Sequence, residues 1–180
     1  ESANFSKDSL TGTWTAKCSD NTSASTSALT ELVFYDSGDN LTATTTYYSD
    51  LSCVTQSFIF KKKLNSLNLN NNKTTTSQNQ IIYKLTASIT DISIEPKTSY
   101  VSSSLNADDP PYCGFSGWNP GTETSVAGLT CNTTTYDSVN DNYFDIIQMN
   151  SEKTFIRLGN IKNAGSTGYP KTLYTQEYYK

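Results

Sequence analysis

The chain has 180 residues, which is enough for one domain with a substantial apolar core. Its formal net charge is −4 and its basic residues form no extended patch, which argues against nucleic-acid binding. Ser and Thr together number 51 and aromatic residues make up 12 %, so the composition favours strands and turns over helices or disorder, and no apolar run is long enough to predict a transmembrane helix.

The first half of the chain predicts a meander of four antiparallel strands. The first strand is predicted at residues 10–18, and its alternation places Gly12, Trp14 and Ala16 on one face. Three further strands follow hairpin-scale turns, at residues 29–35, 41–48 and 53–60. Residues 64–80 are polar and nearly low-complexity, which predicts a solvated loop.

The second half predicts further strands around one long excursion. These strands are expected at residues 81–88, 89–95, 143–149 and 153–158, with a bulge near Asp91. Between them, residues 103–142 hold two of the four cysteines, and no segment shows a sustained helical period. The fold class is therefore all-β. We expect residues 1–180 to form a single antiparallel up-and-down barrel, closed or half-open and lipocalin-like, of about eight strands, with a disulfide-tied excursion at 103–142.

The cysteines point to disulfides rather than to a metal site. They are widely spaced, and the chain contains neither a Cys-x-x-Cys motif nor any histidine, so we expect no metal and no cofactor. We predict the pairs Cys18–Cys53 and Cys113–Cys131, although four cysteines allow three connectivities. Two disulfides are typical of a secreted or cell-envelope protein.

Two residues of the first strand and the lone arginine resemble the lipocalin and wider calycin group. In that group a Gly-x-Trp opens the barrel and a late arginine packs across the indole. The matching residues here are Gly12, Trp14 and Arg157. The resemblance implies a structural role for all three, with the Arg157 guanidinium within about 6 Å of the Trp14 ring.

A second resemblance rests on motifs spread along the chain. The segments GTWTAKC, TTTYYSDLSC, YCGFSGWNPG and FIRLGN resemble the extracellular domain of the adenomatosis polyposis coli down-regulated Wnt inhibitors and similar bacterial exported lipoproteins. The late Arg-Pro of that family is replaced by Tyr169-Pro170. The resemblance implies an incompletely closed barrel whose apolar face holds acyl chains. The lipoproteins add the expectation of peripheral membrane anchoring through a lipidated N-terminus preceding this chain.

Aromatic residues are the candidate ligand-binding residues. Those expected to line a cavity inside the barrel are Tyr47, Tyr48, Phe58, Phe60, Tyr83, Phe144 and Phe155. Trp118 lies in the long excursion with Tyr112 and Phe115, where it would either cover the barrel mouth or present a binding patch. Core filling explains the same aromatic residues equally well, so both interpretations stay open.

Catalysis has little support in the sequence. The absence of histidine excludes the common Ser and Cys triads, and the glutamates are scattered singly, so we predict no catalytic residue and no enzymatic activity. We therefore expect a binding protein that holds a small apolar or amphipathic, lipid-like ligand. The alternative is an adhesion or carbohydrate-binding module that uses exposed Tyr and Trp side chains.

Overall fold

The computed structural model describes residues 5–70, 81–160, 162 and 167–180, together with the backbone of residues 74–75. Strand accounts for 50 % and helix for 11 % of the structure, which confirms the all-β class. The strands are β1 (Gly12–Ala16), β2 (Ser19–Asn21), β3 (Thr26–Tyr35), β4 (Asn40–Tyr48), β5 (Gln56–Leu69), β6 (Thr74–Thr75), β7 (Ile81–Pro96), β8 (Thr124–Ser125), β9 (Thr130–Cys131), β10 (Thr134–Thr135), β11 (Asn142–Met149), β12 (Phe155–Leu158) and β13 (Tyr178–Tyr179).

Eight of these strands form a closed antiparallel barrel. Each barrel strand pairs with its neighbours in the chain, in the order β1-β3-β4-β5-β7-β11-β12-β13. The ring closes because β1 also pairs with β13, where Ala16 lies opposite Tyr178. The predicted up-and-down topology is confirmed, and the barrel is closed rather than half-open. We call the end at which β1 begins the lower end, and the opposite end the upper end.

Most of the buried side chains between the strands are apolar. Alternation along β1 places Trp14 and Ala16 inside, and β3 contributes Leu32 and Phe34; these four residues are 0–4 % exposed. Trp14 lies directly opposite Leu32 in the register. Burial of one such side chain contributes about 1.5–3 kcal/mol, so this layer is a main source of stability.

A short 3-10 helix, Lys7–Leu10, closes the lower end. Leu10 is fully buried, and its carbonyl oxygen accepts a hydrogen bond of 2.6 Å from the indole Nε1 of Trp14. Phe5 packs edge-on against Tyr83 of β7, with ring centroids 4.6 Å apart. The segment before β1 therefore belongs to the barrel core.

The predicted solvated loop at residues 64–80 is wrong over its first part. β5 continues to Leu69, and Leu64, Leu67 and Leu69 are all buried. The register with β7 shifts twice, after Lys63 and again after Asn65. The second shift places an extra residue in β5, so the spacing of these leucines does not alternate strictly. The first shift faces the bulge predicted near Asp91, which is confirmed. Residues 71–73 and 76–80 of the predicted loop lie outside the described residues.

The structure contains a helix that the sequence did not indicate. Helix α1 (Ser99–Ala107) follows β7, and the Thr98 hydroxyl oxygen caps it by accepting a hydrogen bond from the backbone N–H of Val101. Only Ser102 of the helix is buried, so an apolar period is absent. In the described part of the chain, no helix is long and apolar enough to cross a membrane.

Residues 97–141, which we call the upper cap, cover part of the upper end. Trp118 is 2 % exposed, and its backbone N–H and carbonyl oxygen both bond to the side chain of Asn106. The ring of Tyr136 packs 5.8 Å from that of Phe60 on β5. The upper cap therefore adds its own aromatic residues to the barrel core.

Both predicted disulfides are confirmed. Cys18–Cys53 joins the chain after β1 to the loop between β4 and β5, and Cys113–Cys131 closes a loop within the upper cap. By loop-closure entropy, each stabilises the fold by about 3–4 kcal/mol. The pairing indicates folding in an oxidising environment.

The predicted packing of Arg157 on Trp14 is wrong. The cation over the Trp14 indole is Lys180, whose Nζ lies 5.2 Å from the ring centroid. Arg157 lies 5.4 Å from the ring of its strand neighbour Phe155 and pairs with Glu177. Alternation explains the difference, because Ile156 occupies the inward position of β12 and Arg157 therefore points outward.

We expect a double-mutant cycle to distinguish the two cations. Lys180→Ala combined with Trp14→Phe should show a coupling free energy of about 0.5–1 kcal/mol, because the ammonium interacts with the indole. The same cycle with Arg157→Ala should be additive. Urea unfolding of the five variants and the wild-type chain measures both values, and coupling of Arg157 with Trp14 would contradict the observed geometry.

Candidate ligand-binding groove

An open groove of about 740 Å³, which we call the upper groove, lies at the upper end of the barrel. It runs between the turn before β3, the end of β4, the start of β5 and the start of α1. Its lining residues are Ala24, Ser25, Thr26, Tyr47, Tyr48, Ser49, Ser57, Phe58, Thr98, Tyr100 and Val101. A groove of this volume is large enough to bury most of a small ligand.

A stacked aromatic pair forms one wall of the upper groove. Tyr47 and Phe58 are cross-strand neighbours on β4 and β5, and their rings stack with centroids 4.4 Å apart and planes 13° from parallel. Partial burial raises the pKa of the Tyr47 phenol. At the open side, Tyr100 of α1 is 83 % exposed. The groove thus offers apolar ring faces at its wall and at its rim.

The polar groups of the upper groove are hydroxyls. Tyrosine, serine and threonine account for its polar lining side chains, and none of the residues that line it carries a charge. Hydroxyls can donate and accept hydrogen bonds at little desolvation cost compared with an ion. The lining therefore combines apolar contact with neutral hydrogen bonding.

The loop between β4 and β5 forms a rigid border of the upper groove. The Asp50 carboxylate accepts hydrogen bonds from the backbone N–H groups of Thr55, Ser52 and Val54. These bonds hold the pKa of Asp50 below its usual value, with the Thr55 amide as the largest cause. The Cys18–Cys53 disulfide ties the same loop to the chain after β1. Tyr47 and Tyr48 at the end of β4 are thereby held in place.

The predicted ligand-binding residues do not line one cavity. Tyr47 and Phe58 lie in the upper groove together with Tyr48, whereas Phe60 packs inside the barrel against the upper cap. Tyr83 is buried near the lower end, and Trp118 is buried in the upper cap. The predicted residues therefore lie in separate parts of the molecule, and only Tyr47, Tyr48 and Phe58 come together in the upper groove.

Two other predicted residues face away from the barrel interior. Phe144 packs edge-on against Tyr169, with centroids 5.1 Å apart, and Phe155 lies beside Tyr179. Their strand neighbours Tyr143, Asp145 and Ile156 occupy the inward positions, so alternation places both phenylalanines outside.

Two lining residues of the upper groove, Tyr100 and Val101, were missed by the sequence analysis because the helix that carries them shows no apolar period.

A polar cluster is buried at the inward-facing positions of β11. The Asp145 carboxylate is 2 % exposed and accepts hydrogen bonds from the Tyr143 hydroxyl at 2.6 Å and from the backbone N–H groups of Ile146 and Gly159. Burial raises the pKa of Asp145 to about 6, although these hydrogen bonds act in the opposite direction. Contact with Gly159 is so close that a Cβ there would lie 2.6 Å from the carboxylate. The cluster ties β11 to the chain after β12.

Several carboxylates are engaged in ion pairs on the outer face of the sheet. Glu123 contacts Lys61 and Lys63 of β5 and accepts a hydrogen bond from Ser93. The two ammonium groups, Lys61 first, lower the pKa of Glu123 to about 2. Glu95 pairs with Lys97 at 2.8 Å. These contacts join the upper cap to β5 and β7.

The closed eight-stranded antiparallel barrel is consistent with a lipocalin-like barrel. Comparison of the chain with protein-family models and with curated proteins finds no match.

Proposed function

We propose that the protein is a non-catalytic binding protein that holds a small apolar or amphipathic, lipid-like ligand in the upper groove. The observation that carries the proposal is the groove itself, with its stacked Tyr47–Phe58 wall and its uncharged lining. Ligand sites are typically concave and mostly apolar, with a few polar groups that orient the ligand. The ligand would lie at the barrel mouth, where the upper groove opens.

The proposal includes a secreted or cell-envelope location. Two disulfides indicate an oxidising compartment, and the Cys18–Cys53 bond supports a border of the proposed site. Exported proteins meet amphipathic molecules at membrane surfaces. Anchoring through a lipidated N-terminus, as in the exported lipoproteins that the chain resembles, would hold the protein near them.

Binding of the neutral dye Nile red tests the proposed site. Tyr47→Ser removes one face of the aromatic wall, and we expect it to weaken dye affinity about tenfold, since an aromatic contact is worth about 1 kcal/mol or more. Tyr35→Ser is the matched control, because Tyr35 is 42 % exposed against 37 % for Tyr47 and lies at the lower end of the barrel. Fluorescence titration gives both affinities. Equal affinity of the two variants would place the dye elsewhere.

A carbohydrate-binding module is the second candidate function. Tyr100 favours it, because a sugar ring can stack on an aromatic side chain that is 83 % exposed. Titration of the chain with a panel of neutral oligosaccharides separates the two functions. Oligosaccharide binding that is lost in Tyr100→Ser, without any binding of amphiphiles, would favour this second function.

A further inference from the structure

We infer that the upper groove selects amphiphiles whose headgroup is uncharged and hydroxylated, such as acylglycerols and alkyl glycosides, over ionised amphiphiles. The inference rests on the proposed function, because it specifies the ligand class of the same groove. It is carried by two features of the lining, namely a set of unused hydroxyls and the lack of charged side chains.

The unused hydroxyls belong to residues on three sides of the groove. Six lining hydroxyls make no hydrogen bond with another residue in the described part of the chain. They belong to Ser25, Thr26, Tyr47, Tyr48, Ser57 and Tyr100. A hydroxyl donates one hydrogen bond and accepts up to two. The groove can therefore pair with several hydroxyls of a polyol headgroup while the aromatic wall contacts the tail.

The charged residues nearest in sequence to the lining residues already have partners outside the groove. Asp50, which follows Ser49, accepts hydrogen bonds from backbone amides of its own loop. Lys97, which precedes Thr98, pairs with Glu95. Neither group is available as a counter-ion for a ligand in the groove.

This arrangement works against ionised headgroups of either sign. A carboxylate or ammonium that leaves water without a counter-ion loses hydration that hydroxyls replace only in part. A neutral polyol loses less hydration and regains it in hydrogen bonds with the groove. The net charge of −4 adds long-range repulsion of anionic amphiphiles.

Displacement of Nile red by amphiphiles with the same lauryl tail tests the inference. The competitors are monolaurin, lauryl maltoside, laurate and laurylammonium, each below its micelle concentration and at a pH where the last two are ionised. We expect the two neutral competitors to bind at least about tenfold more tightly than the two ions. Laurate or laurylammonium that binds as tightly as monolaurin would overturn the inference and leave the proposed function standing. Binding of none of the four would overturn both.

A positive charge introduced at the rim should reduce the preference for neutral headgroups over laurate. Tyr100→Lys places an ammonium at an exposed position of α1 and should strengthen laurate binding about tenfold relative to Tyr100→Ser. Tyr35→Lys adds the same charge at the lower end and controls for net charge. An equal gain of laurate affinity in Tyr35→Lys would show that the overall charge, and not the lining, sets the preference, which would overturn the inference.

Discussion

Trp14→Ala is expected to lower the free energy of unfolding by about 3–5 kcal/mol, the largest effect of a single substitution that we predict. Trp14 is fully buried in the first barrel strand, and its indole N–H is bonded to the carbonyl oxygen of Leu10. Removal of the side chain leaves a cavity beside Leu32 and leaves the Leu10 carbonyl without its partner. Urea unfolding followed by circular dichroism measures the change.

Two variants on the same strand give the comparison. Trp14→Phe keeps most of the apolar volume and loses the hydrogen bond, so we expect a smaller loss of about 1–2 kcal/mol. Thr13→Ala changes the neighbouring exposed residue and should alter stability by less than about 0.5 kcal/mol. A Trp14→Ala loss no larger than that of Thr13→Ala would show that Trp14 does not pack at the lower end as described.

Asp145→Asn is expected to change how stability depends on pH. Burial raises the pKa of Asp145 to about 6, above its value of about 4 in the unfolded chain, so the native state binds the proton more tightly. Its favourable contribution is fully present below about pH 4 and is lost as the pH rises through about 6. An asparagine does not ionise. The variant should therefore gain about 3 kcal/mol relative to the wild-type chain between about pH 4 and 7.

The comparison with the wild-type chain isolates this carboxyl group. Glu123, whose pKa is lowered to about 2, acts in the opposite direction because it favours the native state at higher pH, and it is present in both proteins. Tyr143→Phe removes a hydrogen bond that favours the carboxylate, so it should make the loss of stability with rising pH larger. Parallel stability curves for wild type and Asp145→Asn would contradict the burial of this group.

Most of the strand order could be predicted because it depends on local patterns. The separate strands predicted at 81–88 and 89–95 are wrong, since both belong to the single strand β7. Alternation and turn residues mark most barrel strands, and short connections pair neighbours. The two disulfide pairs were predicted from the number and spacing of the cysteines, with three connectivities left open, and the structure shows Cys18–Cys53 and Cys113–Cys131. β13 was missed because a two-residue strand at Tyr178–Tyr179 has too little sequence to show a period.

The candidate site was predictable only in part. Tyr47 and Phe58 could be chosen because both are aromatic residues at strand ends, and the register of β4 and β5 then places them side by side. Tyr100 belongs to a helix whose packing depends on the upper cap, and no sequence period indicates it. The groove needs both parts, so its position could not be derived from either segment alone.

The sequence by itself determined the all-β class and the up-and-down arrangement, because both depend on local alternation, turn chemistry and chain connectivity. Closure of the ring through β13 and the choice among the three disulfide connectivities were decided by the tertiary structure. Only the tertiary structure decided that Leu64, Leu67 and Leu69 are all core residues, since the register shift after Asn65 turns Leu67 and Leu69 to the same face as Leu64. It also decided that Lys180 rather than Arg157 covers Trp14. The physical reason is that the inward or outward direction of a strand residue changes with every shift of one residue, and that shift is set by packing against partners distant in the chain.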